Sequence, residues 1–154
     1  MKEAKRKLIL EQLDRKIKNL SGFNETEIPS RGWIHAIRTA MNMSLTQLAK
    51  KLGKTPQTVR EIELREESKN ITLKKLLEVA EVLDLKLVYG FVPKNGSLQN
   101  IIEKRATEIA RNIVLRTSQT MKLEDQEVGE ERLAKAINDR AEKIIMEMPR
   151  SLWD

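Results

Sequence analysis

The stretch MSLTQLAKKLGKTPQTVREIE, residues 43–63, decides how the rest of this chain is read. Ser44 stands where an N-cap oxygen is needed, and Leu45, Leu48, Ala49 and Leu52 give the following helix a narrow apolar face. Gly53 supplies the positive φ that ends a helix sharply. Thr55 then caps a second helix, with Pro56 in its first turn, where a missing N–H costs nothing. Two short helices therefore meet at a tight turn. Small Ala49 permits a close crossing, while Val59 and Ile62 direct the second helix inward. The opposite side of that helix carries Thr55, Gln57, Thr58, Arg60 and Glu61, all able to hydrogen-bond to phosphates or base edges.

Around this stretch the composition narrows the choices. A chain of 154 residues can bury one core of ordinary size, with helical arms to spare for a partner. Aromatic residues make up 3% and charged residues 34%, a balance that predicts a mainly α protein. There is no cysteine, and the single histidine, His35, cannot build a histidine-rich metal site, so no metal centre is expected. No nucleophile and base stand together and no Gly-rich loop cradles phosphate, so neither an enzyme nor a cofactor is expected. Acids interrupt the basic N-terminus, and its apolar runs are too short for a signal peptide or a membrane span; the expected location is cytoplasmic. The net charge of +6 is unevenly spread: residues 1–20 carry +4, residues 31–63 carry +4, and residues 97–154 carry −1. That is the footprint of a nucleic-acid-binding region joined to a near-neutral half, or, in the blander reading, of solvated helix faces.

Ile9, Leu13, Ile17 and Leu20 are spaced as one stripe of an N-terminal helix, and SGFNETEIPS, residues 21–30, reads as a linker. Residues 31–93 form the predicted central domain, a bundle of short helices closed by KLVYGFVP, residues 86–93, whose β-formers predict a short strand. A lone strand needs a mate, and the same strand in a second copy, paired over residues 86–92, would make a homodimer ribbon. Residues 94–154 are predicted to hold two helical arms, about 98–122 and 130–147. Their expected apolar stripes are Leu98, Ile101, Ile102, Ile109, Ile113 and Met121 on the first, and Leu133, Ile137, Ile144, Ile145 and Met148 on the second. The arms read as an oligomerisation hairpin or as a partner-binding region.

Over about residues 33–85 the chain resembles the Cro and phage-repressor (lambda-repressor-like) type of helix-turn-helix, the Xre family. The resemblance rests on the helix GWIHAIRTAM, the opening at Ser44, Leu48 and Ala49, the turn at Gly53, the ending at Val59 and Glu63, and the closing LKKLLEVAEVLDL. It implies that the second helix enters the major groove of double-stranded operator DNA by its N-terminus. Gln57 and Arg60 are then the expected readers of adenine and guanine, with Glu61 able to accept from cytosine or simply solvated. Lys51, Lys54, Thr55 and Thr58 are the expected phosphate contacts. The resemblance also implies a pair between Arg38 and Glu63. Leu45 departs from the glutamine that many relatives use against phosphate, a role open to Gln47. His35 reads as a helix-surface or packing residue.

A second resemblance spans nearly the whole chain. LILEQLDRKI, RGWIHAIRTAMNMS, ITLKKLLEVAEVLDLKLVYGFVP, TMKLEDQ and the terminal SLWD are similar to the family called mobile mystery protein A. That resemblance implies a regulator paired with a Fic-domain toxin, an enzyme type that transfers AMP from ATP to protein hydroxyls. One class of Fic enzyme is silenced by an antitoxin helix with the motif S/T-x-x-x-E-G/N, whose glutamate pairs with an active-site arginine and takes the place of the γ-phosphate. Thr120 and Glu124 match its first and fifth positions, and Asp125 stands where Gly or Asn is usual. The expected protein is therefore an autorepressing antitoxin. The alternative is a plain Xre-type repressor with a helical dimerisation domain, in which Glu124 is a solvated helix end.

Overall fold

Three hydroxyls and one glycine set the helix boundaries in the middle of the chain. The computed structural model describes residues 1–123 and 129–154, and side chains outside residues 121–128. Among the described residues there are seven α-helices and no strand, and no helix is long and apolar enough to cross a membrane. The chain divides into two compact units: Glu25–Gly90, and the two flanking segments Met1–Asn24 and Phe91–Asp154 taken together.

The Glu25–Gly90 unit holds α2 (Trp33–Ala40), α3 (Leu45–Leu52), α4 (Pro56–Glu67) and α5 (Leu73–Val82). The Ser44 hydroxyl accepts from the Gln47 N–H at 3.1 Å, and the Gln47 side chain accepts from the Ser44 N–H at 2.8 Å. This reciprocal box satisfies two donors that α3 would otherwise leave orphaned. Thr55 and Thr72 accept from Thr58 and Lys75 in the same way and start α4 and α5. Gly53, at φ 64° and ψ 33°, ends α3 in the left-handed conformation that lets the next helix begin three residues later. Leu48, Ala49, Val59, Ile62 and Val79 are at most 2% exposed and form the core with Ile34 and Leu83. Burying a large aliphatic chain of this kind contributes roughly 1.5–3 kcal/mol.

The strand expected over residues 86–93 is not formed. Val88, Tyr89 and Phe91 are exposed, and these residues run without regular structure. A strand exists only as one side of a hydrogen-bonded ladder, and among the described residues this stretch has no ladder mate within its own chain.

In the other unit, α1 (Lys2–Lys18) packs beside α6 (Leu98–Leu123), which runs against α7 (Glu130–Glu147) and a short 3₁₀ turn at Arg150–Trp153. Alanines mark the seam: Ala106, Ala110 and Ala141 are buried with Ile102, Ile144 and Leu152. Small side chains let the helix backbones approach closely, which is why the stripes of large residues expected on α6 do not all face inward. Ile101 and Ile113 are exposed. The register of α1 also differs in part from expectation: Ile17 is half-buried as expected, but Ile9 and Leu13 are exposed, and Leu10 and Asp14 are half-buried in their stead. Asp14 explains the shift. Its two carboxylate oxygens accept from the backbone N–H groups of Leu98 and Gln99, at 2.8 and 3.2 Å, and cap α6 from 84 residues away. A carboxylate there also meets the positive end of the α6 dipole. At the other end, Arg105 donates to the carbonyl oxygens of Leu152 and Asp154, at 2.8 and 2.6 Å, and fixes the terminal turn over the core.

Candidate nucleic-acid interface

Helix α4 has two unlike sides. Val59, Ile62 and Glu63 are buried, whereas Gln57, Arg60 and Glu61 are exposed on the side turned away from them. Lys51, Lys54 and Thr55 are exposed at the end of α3, the turn and the start of α4, and Thr58 is half-buried. The structure thus brings Lys51, Lys54, Thr55, Gln57, Thr58, Arg60 and Glu61 onto one turn and the helix it launches. Lys51, Lys54 and Arg60 make no ion pair among the described residues. The hydroxyls of Thr55 and Thr58 lie 2.9 Å apart, so one donates to the other at the α4 N-terminus. That terminus gathers the positive end of the helix dipole, which favours an anion there. Arg60 borders a small hollow with Arg31, His35, Glu63, Leu64 and Glu67. Gln57 and Glu61 stand clear of it. The carbonyl oxygen of Gln47 is taken up by the Ser44 cap.

Two carboxylates on the inner side hold α4 against α2. Arg38 forks onto Glu63, with Nε at 2.5 Å from one oxygen and a terminal nitrogen at 3.1 Å from the other, and its remaining nitrogen donates to the Met43 carbonyl at 2.8 Å. A two-pronged guanidinium–carboxylate bond fixes direction as well as distance. His35 joins them: Nδ1 lies 3.2 Å from Glu63 and 3.3 Å from Arg38. That nitrogen serves one neighbour at a time, donating to the carboxylate when protonated or accepting from the guanidinium when not. Burial pushes the Glu63 carboxyl up, but the hydrogen bonds from Arg38 and His35 outweigh it and hold the group below the usual glutamate range. The hydrogen bond to Glu63 likewise holds Arg38 above its ordinary value.

The second carboxylate, Glu66, was not singled out by the sequence. It accepts the Ile34 N–H at 2.7 Å and so caps α2, which has no side-chain cap of its own. Gly32 sits at φ 87° immediately before that helix, and a Cβ there would lie 2.6 Å from the Glu66 oxygen. The available signal was a helix preceded by glycine without Ser, Thr, Asp or Asn, whose first N–H groups had to be met from elsewhere.

Thr120 is exposed on α6 and donates to the Arg116 carbonyl at 3.1 Å. Glu124 lies outside the described residues. Among the described residues no group of three or more His, Asp or Glu side chains is gathered to hold a metal ion.

Residues 34–89 match the HTH_3 helix-turn-helix family. The matched stretch runs from α2 through α5 into the irregular segment, so the chain carries an Xre-type helix-turn-helix domain, a DNA-binding regulatory module. No curated protein and no solved structure matches the chain with significance.

Proposed function

We propose that this chain is an operator-binding autorepressor that also serves as antitoxin to a Fic-type AMP-transferase. The observation that supports the DNA half is the outer side of α4, where Gln57, Arg60 and Glu61 are exposed while Val59 and Ile62 lock the inner side into the core. Gln57 and Arg60 read adenine and guanine through paired hydrogen bonds, Glu61 accepts from cytosine, and Lys51, Lys54, Thr55 and Thr58 position the domain on phosphate. Two copies joined through residues 86–92, where Val88, Tyr89 and Phe91 are exposed, present two recognition helices to half-sites about 34 Å apart. In this reading the protein works in the cytoplasm, where its operator lies.

The antitoxin half rests on the whole-chain resemblance. A Glu124 carboxylate forked onto the Fic arginine removes the cation that holds the ATP phosphates in register for attack. The plain repressor is the second reading; exposed Ile101 and Leu115, which fall about 40° apart around α6, favour a dimerisation face there.

Two measurements separate the parts. On duplexes spanning the promoter of its own gene, Arg60→Ala should relax preference at one base pair by about 1–3 kcal/mol. Uniform weakening on every sequence would make Arg60 a phosphate contact instead. With a co-expressed Fic neighbour, Glu124→Ala should leave DNA affinity unchanged and release AMP transfer to protein, and persistent inhibition would remove Glu124 from the mechanism.

A further inference from the structure

The N-terminal helix α1 carries seven cations and three acids, and the structure sorts them. Its inner side is marked by half-buried Leu10, Asp14 and Ile17. At about 100° per residue, Lys5, Gln12, Arg15 and Lys16 fall on the opposite side, with Lys2 at its edge. No acid falls within that outer side. Asp14 is turned inward and capping α6, Glu3 lines the groove beside Leu10 and Ile145, and Glu11 lies on the far flank.

The row does not end with the helix. Lys2, Lys5 and Arg6 continue into a cleft that Arg150 closes from the terminal 3₁₀ turn, with Glu147 as the acid among its lining residues. Arg6 reaches that place by donating to the Met148 carbonyl at 3.0 Å. Arg150 is held there because buried Leu152 and the Arg105 bonds anchor the turn. The side chains of Lys2, Lys5 and Lys16 make no hydrogen bond or ion pair among the described residues, and the ion pairs found there lie elsewhere.

We infer that the outer side of α1, continued by Arg150, is a second DNA-binding surface that grips the sugar–phosphate backbone without reading sequence. From Lys2 to Lys16 the row spans about 21 Å, the rise of about six base pairs, so a row of cations this long meets several phosphates of one strand. The competing occupant is an anionic bilayer, since Leu8, Ile9 and Leu13 are also exposed. A helix that lies in a bilayer separates a continuous apolar face from its cations. Here Lys5, Gln12 and Lys16 fall between Leu8 and Ile9, and Lys2 falls between Ile9 and Leu13, so the exposed aliphatics form no continuous face. Duplex DNA, already the ligand of the helix-turn-helix in the reading above on which this inference rests, fits the charge without needing one.

The test is the salt dependence of binding to a random-sequence duplex of about 30 base pairs, measured by fluorescence anisotropy. Each phosphate contact adds about 0.9 to the slope of log K against log salt. The full-length triple variant Lys2→Gln, Lys5→Gln, Lys16→Gln should therefore bind with a slope shallower by about 2 to 3, and roughly a hundred- to a thousand-fold more weakly near 0.1 M salt. The triple Lys→Arg variant should keep the parent slope, which separates lost charge from lost structure. A wild-type protein that binds DNA while the Gln triple variant keeps its slope overturns the inference and leaves the helix-turn-helix reading standing. A wild-type protein that binds no duplex at any salt sinks both. Lysine-dependent binding to phosphatidylserine vesicles with an unchanged DNA slope assigns the surface to membranes and also overturns the inference.

Discussion

Replacing Glu63 with alanine should destabilise the helix-turn-helix unit by about 3 kcal/mol, read as a lower midpoint in urea with little change in slope. The reason is the Arg38 guanidinium. Its side chain is 13% exposed and that of Glu63 is 8% exposed, so the alanine variant leaves a cation with poor access to water and its strongest partner gone. The figure is taken from the low end of the range for broken buried pairs because Arg38 keeps its bond to the Met43 carbonyl. Glu63→Gln should cost less, since an amide oxygen still accepts one of the two bonds. The two variants also predict a pH dependence. Because the folded carboxyl titrates below the ordinary value of 4.5, the unfolded chain binds more protons between those points. The advantage of wild type over Glu63→Gln should be complete above pH 4.5 and fade as pH falls through the lower folded value. A gap between the two that stays constant down to the acid limit would show that the charge on Glu63 contributes nothing.

Leu152→Ala should cost about 2–5 kcal/mol in the unit built from the two flanking segments. Leu152 is fully buried, among the largest side chains in the chain to be so. Truncating it leaves a cavity between α6 and α7, and the Arg105 bonds to the Leu152 and Asp154 carbonyls hold the turn in place so that the gap cannot collapse. Trp153, its neighbour, is 56% exposed. Trp153→Ala should therefore change stability by well under half of that amount, and equal losses at the two positions would mean that the turn is not seated as described.

The helix-turn-helix was legible because its signals are local. Ser44, Gly53, Thr55 and Pro56 each act within four residues of their own position, so a cap, a stop and a start can be read in order along the chain. The remaining elements depend on distant partners. Asp14 breaks the apolar period of α1 because its carboxylate serves α6, and periodicity then selects Ile9 and Leu13, which face solvent. On α6 the seam is written in alanine, which a search for large aliphatics passes over. Glu66 looks like any surface acid until the Ile34 N–H is found against it. His35 was legible only as a helix-surface or packing residue; its place between Arg38 and Glu63 needed the fold. The segment 86–93 shows the opposite case, since its residues favour a strand but no ladder mate exists among the described residues.

The division of the chain fixes an order of assembly during synthesis. The DNA-binding unit is one unbroken run, Glu25–Gly90, and all its core residues have been translated before α6 begins. Helix α1 is made before that unit, yet none of its residues is buried, and the groups it serves at Leu98 and Gln99 arrive 84 and 85 residues after Asp14. At about 5–20 residues per second it waits several seconds or more for them. A 17-residue helix alone in water is marginal. The nascent chain therefore carries a folded DNA reader after an unsettled basic helix, and the late-arriving core residues of the flanking unit, Leu152 among them, determine when that helix gains a permanent place.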